Sequence, residues 1–392
     1  MTAAPSNRPA LALYAKLVVL AVFVLIFLGG LVTSWGAGMA APDWPLSYGS
    51  INPAGWWDNF PLRLEHGHRL TASLVGVLTL GLMGWVWRNR WIAGTAVFIG
   101  LGLVYSFFAG TQHEARSAEH MHEASWWIGL GILIVVALLS LVLFKASPPA
   151  APGERTVRWL SWAAFVAVCV QATLGGLRVT EQTGGLPQLA LALRIFHGCV
   201  AQAFLCLVVA TAAILSPRWA TDHPTRAAGR ARRLAWMTFG FIFIQLIFGA
   251  TMRHLGAGLA IPTFPAASPE GGFMPHQHNV YVDLNFTHTR FLAFLVTLHI
   301  FLIALRVFRT ARGEGRLVGP AVTLLALVAI QITLGIFVIL HTKPPTLTTF
   351  HVLNGAALLA TSLLLALRLY RFGPAATLSS PGTTSLPSQV TA

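Results

Sequence analysis

Charge is scarce in this chain. Only 10% of its 392 residues are Asp, Glu, Lys or Arg, against about a quarter in a soluble domain, while 55% are hydrophobic and mean hydropathy is +0.69. That excludes a soluble globular domain and a disordered chain. Acidic residues number 12 against 26 basic ones. Lysine is nearly absent, with only Lys16, Lys145 and Lys343. The net charge of +14 does not point to nucleic acid, because the arginines stand singly at the ends of apolar runs, as orientation signals do. Cysteine is rare too. Cys169, Cys199 and Cys206 all lie inside apolar segments, so neither a CxxC motif nor a disulfide framework is available.

What the chain has in quantity is apolar runs long enough to cross a bilayer. Ten are expected, over roughly 11–33, 66–87, 91–110, 124–145, 158–178, 190–215, 233–252, 287–309, 318–340 and 346–369. The first is too long for a cleaved signal peptide and lacks a small-residue cleavage site. An N-terminus in the cytoplasm leaves 18 Lys and Arg on the inner side and 8 on the outer side, so both termini are expected inside. The connections 34–65 and 253–286 are then outside.

The chain also repeats itself. Gly36-Ala37-Gly38 through Pro42-Asp43-Trp44-Pro45 returns 220 residues later as Gly256-Ala257-Gly258 through Pro262-Thr263-Phe264-Pro265. The same offset places His68 on His288. Gln171-Ala172-Thr173-Leu174-Gly175 returns as Gln331-Ile332-Thr333-Leu334-Gly335, with a third copy at Gln245–Gly249. After two of these copies a histidine follows near the outer end of the next span: His197 and His351.

The expected fold class is therefore an all-α polytopic membrane protein. Two tandem four-helix units are related by a pseudo-two-fold axis along the membrane normal. The N-terminal unit takes residues 1–88 and 151–216, and the C-terminal unit 233–372. An inserted two-helix hairpin covers 89–150, and a Ser/Thr/Pro-rich tail, 373–392, reads as disordered.

Histidine is the unusual polar residue, with 14 in all. Histidine inside a membrane is costly and marks function or pairing. His68, His197, His288 and His351 share one depth and come as one pair per half, on separate helices. A neutral imidazole from each of two facing helices is how a bundle clamps a haem iron. Tetrahedral zinc needs three or four convergent ligands, and each half offers two. Small residues after the ligand positions (Gly198, Ala201, Gly355, Ala356, Ala357) would let a flat macrocycle approach. Arg69, Arg178, Arg253 and Arg290 stand where haem propionates would emerge, and arginine forks onto carboxylates.

Glu65 lies three residues before His68, on the same helical face, and its repeat counterpart is Asn285. That asymmetry suggests acid–base or electrostatic chemistry in the first half and a held cofactor in the second. Asp43, opposite Thr263, is asymmetric too, but its Pro-Asp-Trp-Pro turn suits capping. His113, His120 and His122, with Glu114, Glu119 and Glu123, read as a solvated outer loop.

The run Gly36-Ala37-Gly38, Pro42-Asp43-Trp44-Pro45, Glu65-His66-Gly67-His68-Arg69 and Leu174-Gly175-Gly176 resembles the haem A synthase family. The likeness spans both halves, about 300 residues, and omits the hairpin and the tail. It implies an enzyme of respiratory-oxidase assembly that oxidises the C8 methyl of haem O to a formyl group. It further implies that His288 and His351 hold a b-type haem, that His68 and His197 take the substrate haem, and that Glu65 is catalytic. A bacterial inner (plasma) membrane location and a haem O synthase as haem donor follow from the same likeness. A homo-oligomer is compatible with it, and the electron donor and oxygen source are not legible. There are three departures. Ala41 and Ser47 stand where many bacterial members have a cysteine pair. The arginine expected after His288 is Thr289, with Arg290 one place later. Ten spans exceed the usual eight. A two-haem electron-transfer cytochrome explains the four histidines but not the Glu65/Asn285 asymmetry. A transporter would place its polar residues nearer mid-membrane.

Overall fold

A computed structural model of the chain describes residues 8–109, 119–146, 150, 152–183, 186–220 and 228–371. The tail 373–392 and His113 lie outside the described residues. Among the described residues the chain is all-α, with ten helices long and apolar enough to cross a membrane. They are α1 (Pro9–Ser34), α2 (Phe60–Val86), α3 (Arg90–Ala109), α4 (Glu119–Ala146), α5 (Pro152–Thr183), α6 (Pro187–Leu215), α7 (Ala228–His254), α8 (Val280–Thr310), α9 (Gly315–Leu340) and α10 (Pro345–Arg371).

All ten expected spans are present. Several helices run further than their apolar stretch, because capping rather than hydropathy ends a helix. α2 starts six residues early at Asn59, whose Oδ1 accepts from the Leu62 amide at 3.1 Å, with Pro61 in the first turn. α8 starts at Asn279, whose side chain accepts from the Tyr281 and Val282 amides at 3.0 Å. Asn59 and Asn279 are themselves 220 residues apart.

α1, α2, α5 and α6 pack on one another, as do α7, α8, α9 and α10. α1 and α6 meet α10, and α6 also meets α7, which joins the two groups. α3 lies on α2 and α4 on α5. Trp162 Nε1 donates to Ser140 Oγ at 2.8 Å, one of the ties between α4 and α5.

Each group of four has its apolar core toward one end, the end that holds residue 8 and the α6–α7 connection; we call it the inner end. The two clusters of buried side chains reach outward as far as Val22, Val75, Val168 and Phe204 in one group. In the other they reach Ile242, Val296, Val328 and Leu358. That limit falls seven residues inward of Gly29, His68, Gly175, His197, Gly249, Gly335 and His351 and eight inward of His288, although Ala356 of α10 is also buried in the first cluster. Beyond that limit buried apolar side chains are fewer, among them Val32, Leu62, Leu177 and Leu292. The outer connections 35–59 and 255–279 then cover this layer, with Ala37, Ala41, Ala257 and Ile261 buried.

Candidate functional site

The layer between core and outer loops holds the four histidines. In each case a helix bearing a glycine stands beside the helix bearing the histidine. A Cβ built on Gly29 of α1 would lie 3.0 Å from Cε1 of His68 on α2. The corresponding distances are 3.0 Å from Gly175 (α5) to His197 (α6), 2.7 Å from Gly249 (α7) to His288 (α8), and 3.2 Å from Gly335 (α9) to His351 (α10). The repeated element that ends in this glycine thus occurs four times, not three, with Phe248 in place of leucine in one copy. Phe27-Leu28-Gly29-Gly30 is the missing copy, hidden in the sequence because Leu25 replaces its glutamine. Each glycine is needed because Cε1 of the imidazole stands too close for a Cβ.

The second glycine of the doubled copies has another task. Gly176 lies against the Trp44 indole, with no room for a Cβ, and Gly30 lies against Thr349 of α10. Gly198 and Gly355 are not macrocycle clearance as expected. They face Ala250 and Leu246, so they serve helix packing.

The Nδ1 atoms of all four histidines are buried without a hydrogen bond. Each histidine lies beside the main chain of the glycine-bearing helix, at Leu25, Gln171, Gln245 or Gln331. The glutamines also pin two of the histidines through the main chain. Gln171 Nε2 donates to His197 O and Gln245 Nε2 to His288 O, both at 2.8 Å. Gln331 Nε2 instead sits 3.1 Å from His351 Nε2 and is held by Asn354. His197 lies within electrostatic reach of His68, and His288 of His351. All four histidines are half-buried among the packed helices. Among the described residues, no three of His, Cys, Asp or Glu gather as a tetrahedral metal would need. Two histidines on neighbouring or facing helices in each group, each standing against a glycine and coupled electrostatically to the other, are the donor set that would hold a haem iron.

The outer loops are fixed by arginines. Arg69 Nη1 donates to the carbonyls of Asp43 and Leu46, both at 2.6 Å, and Nη2 to that of Ala41 at 2.8 Å. Arg290 Nη2 donates to the carbonyls of Thr263 (2.7 Å) and Ala266 (2.8 Å), the positions 220 residues after Asp43 and Leu46. Arg290 therefore does the work of Arg69 although it is displaced by one residue. The cause is local: residues Thr287–Leu292 of α8 form a π-helical turn, which absorbs the extra residue. Both loops carry a cis peptide at the matching proline, Trp44-Pro45 and Phe264-Pro265.

Glu65 is fully buried. Its Oε2 accepts from the Ala41 amide at 2.9 Å and its Oε1 from Arg69 Nη2 at 2.7 Å. Asn285, its counterpart, donates to the Ala257 carbonyl at 2.8 Å. Asp43 accepts from the Tyr48 and Gly49 amides, both at 2.7 Å, a capping role. Arg253 Nη2 donates to Gly30 O and Ser34 Oγ on α1, tying the two groups of helices together. Arg178 alone of the four expected arginines makes no hydrogen bond within the described residues; its guanidinium rests on Gly38, 2.9 Å from where a Cβ would stand. The sequence reading missed Arg194, on α6 three residues before His197. Its signal was the spacing that singled out Glu65.

His66 and His299 are tied to their surroundings. His66 bonds Ser47 Oγ at 2.9 Å and packs on Trp56, and His299 meets the Leu295 carbonyl and Phe241. His120 and His122 fall in the first turn of α4.

The glycine contacts make a paired test. Gly240 and Gly249 share α7, but a Cβ at Gly240 meets nothing within 4 Å. Gly240→Ala should be neutral or stabilising by up to about 1 kcal/mol in thermal unfolding. Gly249→Ala should displace His288 and lower bound haem. Equal behaviour of the two variants would remove the glycine's role.

Residues 118–363 match the COX15-CtaA family, described as cytochrome oxidase assembly protein. The chain is 25% identical to the haem A synthase of Rhizobium etli over 357 residues, 86% of this chain and 84% of that one. It is 24% identical to that of Bradyrhizobium sp. ORS 278, covering 92% of this chain and 91% of that one. With that of Azorhizobium caulinodans it shares 28% identity over 64% of this chain and 74% of that one. The matched segment contains His197, His288 and His351 with three of the four glycines that back the histidines, so this chain belongs to the COX15-CtaA family of cytochrome oxidase assembly proteins.

Proposed function

We propose that the chain is a haem A synthase, oxidising the C8 methyl of haem O to the formyl group of haem A. The observation that carries this is two like sites with unlike charge. Both halves offer a glycine-backed histidine pair, but only the first adds a buried carboxylate, Glu65, where the second has Asn285. Two equal electron carriers would need no such difference.

In this reading His68 and His197 hold the substrate haem, and His288 and His351 a b haem. When bound, the b haem supplies one-electron transfer. The protein's own part is positioning and electrostatics. The inner core and the outer loop fix the layer in which the macrocycle lies, so the methyl is presented at a set place. Glu65 has both oxygens engaged, by an amide and by Arg69, so its charge is pre-oriented rather than mobile. That favours stabilising positive charge at the oxidised carbon over shuttling protons.

The two groups of helices are taken as halves related by a pseudo-two-fold axis, over the domain boundaries given above, with 89–150 peripheral. The arginine bias supports a bacterial inner membrane location with both termini cytoplasmic. A haem O synthase is the expected donor. The test is haem extraction from membranes of cells making this chain together with a haem O source. Haem A beside haem B is expected; haem B alone would leave the electron-transfer reading.

A further inference from the structure

Buried arginine inside a membrane protein is costly unless an anion or a set of acceptors meets it. Most arginines at the outer end have such acceptors. Arg69, Arg253 and Arg290 spend donors on main-chain carbonyls or hydroxyls. Arg178 and Arg194 do not. Neither makes a hydrogen bond among the described residues, and the Nε of each is sealed from solvent without a partner. They are near enough to each other to interact electrostatically, and His254 of α7 is within reach of both. The charged neighbours of Arg178 are Glu65, Arg69 and Arg194. Glu65 is the one anion among them, and both its oxygens are already taken. The patch has a surplus of positive charge and unused forked donors.

The repeat shows that the arginine pair belongs to one site. Arg178 lies three residues after Gly175, and the residue three after Gly335 is Val338. Arg194 lies three before His197, and the residue three before His351 is Thr348. At the four positions three before a histidine stand Glu65, Arg194, Asn285 and Thr348. The first pair carries both charged residues and the second carries neither.

We infer that Arg178 and Arg194 form a carboxylate-binding edge of the first-half site, which fixes the in-plane orientation of the substrate macrocycle through its propionates. This rests on the function proposed above. Two axial bonds leave a ring free to turn about the axis joining the histidines. A pair of guanidinium forks on one edge stops that rotation and selects which methyl faces the reactive side. Arg178 and Arg194 are positioning residues. In the second half the matching positions are Val338 and Thr348, and the cation against Gly258, the counterpart of Gly38, is Lys343, a single point charge in place of a pair of forks, as suits a cofactor whose rotation matters less.

The test titrates the purified protein, carrying its resident haem, with haem O and with haem O dimethyl ester, whose propionates are uncharged. The wild type should bind the free acid roughly tenfold or more tighter, the scale of charge-assisted hydrogen bonds. Arg178→Gln/Arg194→Gln should bring the ratio near one while the resident haem spectrum is unchanged. The haem-free double variant should unfold at a higher temperature than the wild type, because an uncompensated charge pair is gone; a merely structural pair would lower it. Arg194→Gln and Arg194→Lys, read singly, give the same ratio should the double variant not fold, and lysine should keep only part of the preference. An unchanged ratio in the glutamine variants, or a wild-type ratio near one, overturns the inference and leaves the function standing. A wild type with no haem O site removable by His68→Ala overturns both.

Discussion

If the proposed function holds, His288→Ala and His351→Ala should each lower the occupancy of a b haem by about tenfold or more in purified protein. Each would lose an iron ligand and the fit of an imidazole that stands against Gly249 or Gly335. Loss of an outer-shell partner alone costs about ten- to a hundredfold in metal affinity, and loss of a ligand should cost no less. His299→Ala is the control. His299 lies deeper on the same helix as His288, bonds the Leu295 carbonyl at 2.9 Å and packs on Phe241. Its removal should cost stability, as core truncations do, and leave the spectrum intact. A His288→Ala or His351→Ala protein with the full low-spin spectrum would sink the ligand assignment.

Glu65→Gln should lower haem A yield by on the order of a hundredfold, the scale of losing one pre-oriented electrostatic group. The resident haem and substrate haem binding should persist. The structure sharpens this expectation, because Glu65 is also part of the outer loop's anchorage. Glutamine can still accept from the Ala41 amide, and Arg69 keeps the carbonyls of Ala41, Asp43 and Leu46. The loop should therefore hold. Tyr48→Phe separates loop order from charge. It removes the 2.7 Å bond from the Tyr48 hydroxyl to the Ala40 carbonyl, worth about 1 kcal/mol, and leaves Glu65 untouched. If loop order were all that Glu65 supplied, both variants would lose activity together. Near wild-type haem A yield in Glu65→Gln would remove the carboxylate from the mechanism.

A bilayer imposes simple rules on a chain, and those rules were legible. Unbroken apolar runs fixed ten helices, since a lipid-exposed backbone must satisfy its own hydrogen bonds. The 220-residue repeat placed His68 against His288. The costliness of intramembrane histidine marked four of the fourteen for attention. Helix ends were less legible, because caps such as Asn59 and Asn279 lie among polar residues that carry no hydropathy signal.

What only the tertiary structure decided concerns polar partners. The sequence offered Arg69, Arg178, Arg253 and Arg290 as equals. Folding spends three of them on carbonyls and hydroxyls brought in from loops or another helix, and leaves Arg178 beside Arg194. Pattern alone could not show which donors are used up, since a hydrogen bond depends on what lies across the gap. Nor could it show that Arg290 replaces Arg69. A fixed offset assumes one helical pitch throughout, and the π turn at Thr287–Leu292 breaks that assumption by one residue. The fourth glycine, Gly29, was in plain view but lacked its glutamine, and only the imidazole of His68 standing against it gave it meaning.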